Sequence, residues 1–450
     1  MVSLAEKMAA NLDMSAFGKA EELKKRLWFT ILALIVFRLG TFIPLPGIDP
    51  KILAEIFARN SGGILGMFNM FAGGALERMT IFALNIMPYI SASIIIQLGQ
   101  SVIPSLQALK KEGEAGHRKV TQYTRYLTVL ITIIQGYGIA VGLEGMTGSA
   151  GLSAVIAPGF VFRFTTIVSL VGGTMFIVWL GEQITARGVG NGSSLIITVG
   201  IIANIPSALA QTFELGRVGS MSLGVIAMLL FMVLALIYII VLVERAQRKI
   251  TIQYPKRQMG GRMMSSENSH LPLKINPTGV IPPIFASSLL LLPITVANLS
   301  AENGPEWVQT LSQLLGHGQP LYLTLYGALI IFFAFFYTAV VFNPEETADN
   351  LKKHGGFIAG IRPGKNTAEY LDYVITRLTV LGAVYLTALC ILPEILISRL
   401  SVPFILGGTT LLIVVQVTMD FVGQLQSHLI AYQYEGLIKK AALVNKGKRR

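Results

Sequence analysis

Residues 221–243 read MSLGVIAMLLFMVLALIYIIVLV, twenty-three positions without a charged side chain. A helix of about 20 residues crosses the ~30 Å hydrocarbon core of a bilayer. Helix is the expected form, because hydrocarbon offers no water to satisfy open backbone groups. Immediately after this run stand Glu244 and Arg245, and residues 244–275 hold seven Lys and Arg. An apolar run closed by a basic segment is what a membrane span ending at a cytoplasmic face looks like. Similar runs lie on both sides of it, at about 28–43, 79–103, 123–143, 160–181, 189–213, 275–298, 321–342, 374–397 and 402–423. The chain is therefore expected to be an all-α membrane protein of ten transmembrane helices, with 189–213 the most interrupted run (Gly190, Gly192 and Pro206).

Composition agrees. Of 450 residues, 53% are hydrophobic and 13% charged, and the mean hydropathy is +0.63; soluble domains carry about 25% charge. The single cysteine, Cys390, allows no internal disulfide. Residues 1–26 contain Lys7, Lys19, Lys24, Lys25 and Arg26 but no apolar run long enough for a signal-peptide core, so none is expected there.

The net charge of +12 is distributed by side. With ten spans, 29 of the 36 Lys and Arg fall in segments on the side of the termini, six on the other, and Arg38 lies inside the first span. The positive-inside rule then puts both termini in the cytoplasm. A missed or invented span would scramble this alternation.

Ten spans joined at 214–220 divide into five and five, and an odd number per half inverts the second half relative to the first. The expected organisation is a cytoplasmic segment 1–27, a first half 28–220, a second half 221–423 and a basic tail 424–450. The second span carries Pro88 and the corresponding seventh carries Pro277, Pro282, Pro283 and Pro293. Interrupted spans at matching positions of inverted repeats point to a central pathway, although Pro and Gly are also generally commoner in membrane helices.

Ionisable groups of the kind that carry ion or proton relays are scarce in the spans; spans two, six, seven, eight and ten have none in their central portions. Arg38 reads as an interfacial anchor or packing partner. The second span has neutral polar groups instead: Asn85, Ser91, Ser93, Gln97 and Gln100. Ile86 and Ile90 share a helix face, as do Ser193 and Ile197 if the fifth span is helical there. Residues 61–75, SGGILGMFNMFAGGA, are too short to cross and too apolar for an exposed loop, so they read as re-entrant or interfacial. Two 31-residue cytoplasmic loops, 244–274 and 343–373, carry Lys249, Lys256, Arg257, Arg262, Lys352, Lys353 and Arg362. They suit an acidic protein face or nucleic-acid phosphates, or simply satisfy the positive-inside bias.

Catalysis has little support. His117, His270, His317, His354 and His428 lie in loops or at span edges, and no HExxH, GxSxG or CxxC occurs. Gly188, Gly190 and Gly192 lack the Lys-Ser/Thr of a phosphate loop, and Asp372 and Asp420 sit near cytoplasmic span ends.

Several long stretches then carry a resemblance: FRLGTFIPLPGID (37–49), MFNMFAGGALERMTIFALNIMPYISASIIIQ (67–97), KKEGEAGHRKVTQYTRY (110–126), GEQITARGVGNGSS (181–194), VERAQRKI (243–250), SHLPLKINPTGVIPPIFASS (269–288), VFNPEETADNLKKHGGFIAGIRPGKNT (341–367) and LGGTTLLIVVQVTMDF (406–421). Over nearly its whole length the chain resembles the SecY family, central subunits of the bacterial protein-conducting channel. The resemblance implies two inverted five-helix halves, hinged on one side and open to lipid on the other. It implies a pore ring of Ile86, Ile90, Ser193, Ile197, Ile284 and Ile413, and a plug at about 61–75 with Ile64, Leu65, Met67, Phe68, Met70 and Phe71. It implies a lateral gate on spans two and seven, with Ser91, Gln97, Ser287 and Ser288, faced by spans three and eight. The basic loops become docking surfaces for the ribosome (rRNA and ribosomal proteins) or the SecA motor ATPase. Other implied partners are SecE-like and SecG-like small membrane subunits, preprotein signal sequences and membrane lipids. The implied place is the plasma (inner) membrane, with no enzyme activity, cofactor or metal. Two departures from the family pattern stand out: Ser193, usually aliphatic, and Gly261, often basic. The competing readings are a secondary transporter of small solutes built from inverted repeats, an insertase or scaffold without a pore, and an intramembrane hydrolase.

Overall fold

A computed structural model describes residues 21–50, 52–53, 69, 72–145, 153–219, 222–254, 258–259, 262–263, 269–300, 314, 319–400 and 407–447. Ten helices occupy the ten expected runs: α1 (Glu21–Gly40), α2 (Met87–Val102), α4 (Glu114–Gly145), α5 (Phe160–Arg187), α6 (Gly192–Arg217), α7 (Leu223–Arg245), α8 (Ile281–Ser300), α9 (Pro320–Val341), α11 (Lys365–Leu400) and α12 (Gly408–Gly447). Among the described residues, two short helices, α3 (Pro104–Lys111) and α10 (Pro344–Lys353), lie in the loops. Among the described residues seven helices are long and apolar enough to cross a membrane, α7 being the most apolar with a mean hydropathy of 3.2. The side chains α7 turns outward, Met228, Phe231, Leu234 and Tyr238, are exposed as lipid-facing groups must be. Several helices overrun the apolar spans. α4 begins at Glu114 and α11 at Lys365, because helical hydrogen bonding continues wherever the side chains are solvated.

Two expectations need amendment. The second span is helical only from Met87; residues 72–86 form successive turns, with Met79 and Asn85 at φ 45° and 49°. The loops 244–274 and 343–373 are not plain loops. β1 (Gln247–Gln253) pairs antiparallel with β4 (Ser269–Lys274) and on its other edge with β5 (Phe357–Ile358), so the order is β4-β1-β5; β2 (Gln258–Met259) and β3 (Arg262–Met263) form a separate pair. The reason is the alternation in KITIQ: Ile250 and Ile252 are buried while Lys249 and Thr251 are exposed. With Leu273, Ile358, Leu371, Val374, Ile375 and Leu378 these strands share one apolar core. The three-stranded sheet joins the two expected docking loops and rests on α11.

The chain forms two compact units. One comprises Met1–Ala92, Thr124–Pro206 and Val417–Arg450; the other comprises Ser93–Tyr123 and Ser207–Gln416. In the first, α1 packs on α5. In the second, α8 packs on α9, α9 on α11 and α10 on α11.

Candidate functional site: the pore-ring and gate residues

In the first unit, the turns 72–86 deliver Ile86 and Ile90. They are pinned by an aromatic stack in which Phe82 lies between Phe37 of α1 (6.1 Å) and Phe176 of α5 (5.9 Å). Backbone bonds add to this: Ile81 N–H donates to the Ile43 carbonyl at 3.1 Å and Leu45 N–H to that of Met79 at 2.9 Å. Arg38 donates through Nη1 to the Gly73 carbonyl at 2.8 Å and lies over the Phe42 ring at 5.1 Å. Arg38 is thus a packing partner of the chain at Gly73. Gly73, at φ 68°, approaches α6 so closely that a Cβ there would stand 3.0 Å from Gly200 Cα.

Ile86 is fully buried and Ile90 half-buried; the Ile90 N–H donates to the Ile86 carbonyl at 3.1 Å, so the two keep helical spacing although the helix formally starts between them. Ser193 and Ile197 enter on the first turns of α6. Asn191 caps that helix, its Oδ1 accepting from Ser193 N–H (3.1 Å) and Ser194 N–H (3.3 Å). The glycine-rich turn before it is structural. Val189 N–H donates to Thr30 Oγ1 at 3.1 Å, Gly190 N–H to Gln424 Oε1 at 2.9 Å, and Gly192 N–H to Thr185 Oγ1 at 2.9 Å. Ser193 is half-buried and Ile197 buried, so the fifth span is helical there as the shared face requires.

In the second unit, Ile284 sits half-buried on the first turn of α8 and Ile413 is buried on α12. Ser288 is buried and Ser287 half-buried, with Ser287 Oγ donating to the Ile284 carbonyl at 3.0 Å. On α2, Ser91 is buried, and half-buried Gln97 donates to Ser93 Oγ at 3.2 Å. All four residues expected at the gate therefore lie on helices α2 and α8.

The expected plug residues Ile64, Leu65, Met67, Phe68, Met70 and Phe71 lie outside the described residues, as do Lys256 and Arg257. Lys249 lies on β1 and Arg262 on β3. Lys352 and Lys353 close α10, which Asn343 caps by accepting from Glu345 and Glu346 N–H at 3.1 and 3.3 Å. Arg362 lines a shallow depression with Gly360, Ile361, Asn366, Glu369, Tyr370 and Tyr373. Sequence reasoning missed the β4-β1-β5 sheet, which carries Lys249 and joins the two loops; the alternation in 249–253 was the available signal. Among the described residues no cluster of His, Cys, Asp or Glu could hold a metal ion. Asp372 and Asp420 are exposed, on different helices.

Three comparisons bear on this arrangement. The SecY family model matches residues 80–422, more than half the chain. The chain is 55% identical over 435 residues to the protein translocase subunit SecY of Escherichia coli strain K12, covering 96% of this chain and 98% of that one. It is 55% identical to its Rickettsia conorii counterpart over 94% of this chain and 98% of the other. Among solved structures it is similar to that of a protein-conducting channel, with a TM-score of 0.64 at 18% identity, covering 90% of this chain and 92% of the other. Canine Sec61 from a ribosome-channel complex gives 0.60 at 16%, with the same coverage. At those identities the structures speak for the fold alone, and the fold they share is the ten-helix arrangement described above. Family model, near-full-length identity and fold agree: this chain belongs to the SecY family.

Proposed function

We propose that the chain is the central pore-forming subunit of a Sec translocon, passing unfolded preproteins across the plasma membrane and releasing transmembrane segments sideways into lipid. The observation that carries this reading is 55% identity over 96% of the chain to a protein translocase subunit. Two solved structures of the same fold are described as a protein-conducting channel and as a SecY protein whose plug domain stabilises the closed state.

In this reading Ile86, Ile90, Ser193, Ile197, Ile284 and Ile413 form the constriction. Aliphatic walls dewet it, so ions meet a desolvation barrier while a peptide meets deformable, unspecific surfaces. The segment 61–75 is the plug that rests against this ring. α2 and α8 form one side of the lateral gate, and an apolar signal segment partitions between them and lipid with about 0.8 kcal/mol per buried CH₂. The proline-interrupted starts of these two spans support that assignment. Both termini are cytoplasmic, which the distribution of Lys and Arg supports. Lys249, Lys256, Arg257, Arg262, Lys352, Lys353 and Arg362 dock the SecA motor or the ribosome, and SecE-like and SecG-like subunits complete the complex. The chain performs no covalent step of its own, and the motor or ribosome supplies the energy.

The test is reconstitution. Vesicles carrying the chain, its two small partners and the motor should accumulate protease-protected preprotein when ATP is added. Uptake of small solutes without protected preprotein would overturn the reading.

A further inference from the structure

The seventh span does not begin as a helix. β1 and β4 are paired from Gln247↔Lys274 to Ile252↔Ser269, and α8 starts only at Ile281. Residues 275–280 are thus a non-helical connector between the sheet and α8. Glu244, the penultimate residue of α7, is 4% exposed although it is ionisable; Asn276 is 2% and Thr278 4% exposed. Asn276 Nδ2 donates to Glu244 Oε1 at 2.7 Å and to the Gly279 carbonyl at 3.1 Å, and its Oδ1 accepts from Thr278 Oγ1 at 3.0 Å. The Ile275 N–H donates to the Ala246 carbonyl at 3.2 Å. α11 leaves room for this clasp through Gly382, where a Cβ would stand 3.1 Å from the Ile275 carbonyl oxygen and 3.5 Å from Asn276 Cα. A buried carboxylate at the end of an apolar helix is costly, and such groups are retained where they hold something in register. None of the residues assigned above to the ring, the plug or the docking surface is a carboxylate, and Glu244 is not among them.

We propose that Glu244 is a positioning residue for the gate: through Asn276 it holds the connector and the start of α8 in one arrangement. Opening then waits for a segment apolar enough to repay the displacement. This rests on the reading of α8 as a gate helix. The amide is fully committed, with both donors and one acceptor used, so it cannot turn away from Glu244 without leaving another buried group unsatisfied.

The experiment compares translocation of two preproteins, one with a strongly apolar signal core and one with four Leu→Ala changes in it, through channels reconstituted with their small partners and motor. Glu244→Ala should lower the strong-to-weak rate ratio roughly tenfold, the scale of one hydrogen bond to a charged group. Glu244→Gln keeps an acceptor for Asn276 and should stay near the parent ratio. Asn276→Asp should lower the ratio by setting two carboxylates together, and Glu244→Gln on that background should restore part of it by returning a donor–acceptor pair between the two side chains, the Gly279 carbonyl still lacking its amide donor. A folded Glu244→Ala channel with the parent ratio, or no rescue of Asn276→Asp by Glu244→Gln, overturns the proposal. Should Glu244→Ala fail to assemble, the rescue pair decides alone. Ser287 and Ser288 substitutions separate the two ideas. If they change the ratio and the Glu244 variants do not, the positioning role is wrong; if neither does, α8 is not the gate.

Discussion

Gly172 and Gly173 are neighbours on α5, and the structure gives them opposite fates. A Cβ added at Gly172 meets nothing within 4 Å, whereas one added at Gly173 stands 2.8 Å from the Ile81 carbonyl carbon, closer still to its oxygen, and 3.2 Å from Phe82 Cδ1. Ordinary non-bonded carbon contacts lie at roughly 3.5–4.0 Å, so either α5 or the turns 72–86 must retreat by about 0.7–1.2 Å. The obstacle is backbone and cannot rotate aside. Phe82 is itself locked between Phe37 and Phe176, so the retreat disturbs the stack as well. Overpacking of this kind costs about 1–3 kcal/mol, while replacing an exposed helical glycine by alanine returns up to about 1 kcal/mol. That helical gain is common to both positions and cancels, so Gly173→Ala should be about 1–3 kcal/mol less stable than Gly172→Ala, although the two differ by one position. Thermal unfolding of the purified complexes in detergent, followed by size-exclusion chromatography of the heated samples, should separate the midpoints by several degrees. Because the displaced turns deliver Ile86, Gly173→Ala should also raise resting ion conductance in planar bilayers. Coincident midpoints for the two variants would refute the packing argument.

Three further outcomes follow. Ser193→Ile should leave preprotein translocation intact and lower resting ion leak, since it replaces a hydroxyl able to hydrogen-bond water with an aliphatic wall; equal resting conductance of the two channels in planar bilayers would count against the ring. Leu371→Ala, at a fully buried position under the β4-β1-β5 sheet, should cost about 2–5 kcal/mol and weaken motor binding to inverted vesicles; unchanged affinity would show that the sheet does not support docking. Glu144 accepts from Arg163 Nη2 at 2.6 Å and Nε at 2.9 Å and from Gly159 N–H at 3.0 Å, closing the α4–α5 connection. Glu144→Ala should lower the thermal midpoint, by less than Gly173→Ala, and a midpoint at or above the parent's would show that the pair contributes nothing.

The spans were legible because hydropathy at the scale of twenty residues is imposed by the bilayer, whatever the neighbours. The start of the second helix was not. Residues 79–86 are as apolar as the helix they precede, and what unwinds them is the Phe37–Phe82–Phe176 stack and the positive φ of Met79 and Asn85, which no local pattern announces. The sheet was half legible. The alternation at Lys249, Ile250, Thr251 and Ile252 is in the chain, but β5 is two residues long and its partner lies about a hundred positions earlier. Glu244 looked like an ordinary residue at a cytoplasmic helix end. In the fold it is buried and accepts from Asn276, thirty-two positions later.

What the amino-acid order determined by itself is the medium and the count: ten apolar runs, basic segments concentrated on one side, and aliphatic rather than charged residues at Ile86, Ile90, Ile197, Ile284 and Ile413. These follow from transfer free energies, which add residue by residue and need no partner. What only the tertiary structure decided is where apolar chain stops being helix, which loops are sheets, and which polar groups are committed to each other. Those outcomes depend on contacts between segments far apart in sequence, such as the Gly173 approach to Ile81 and the bond from Asn276 to Glu244.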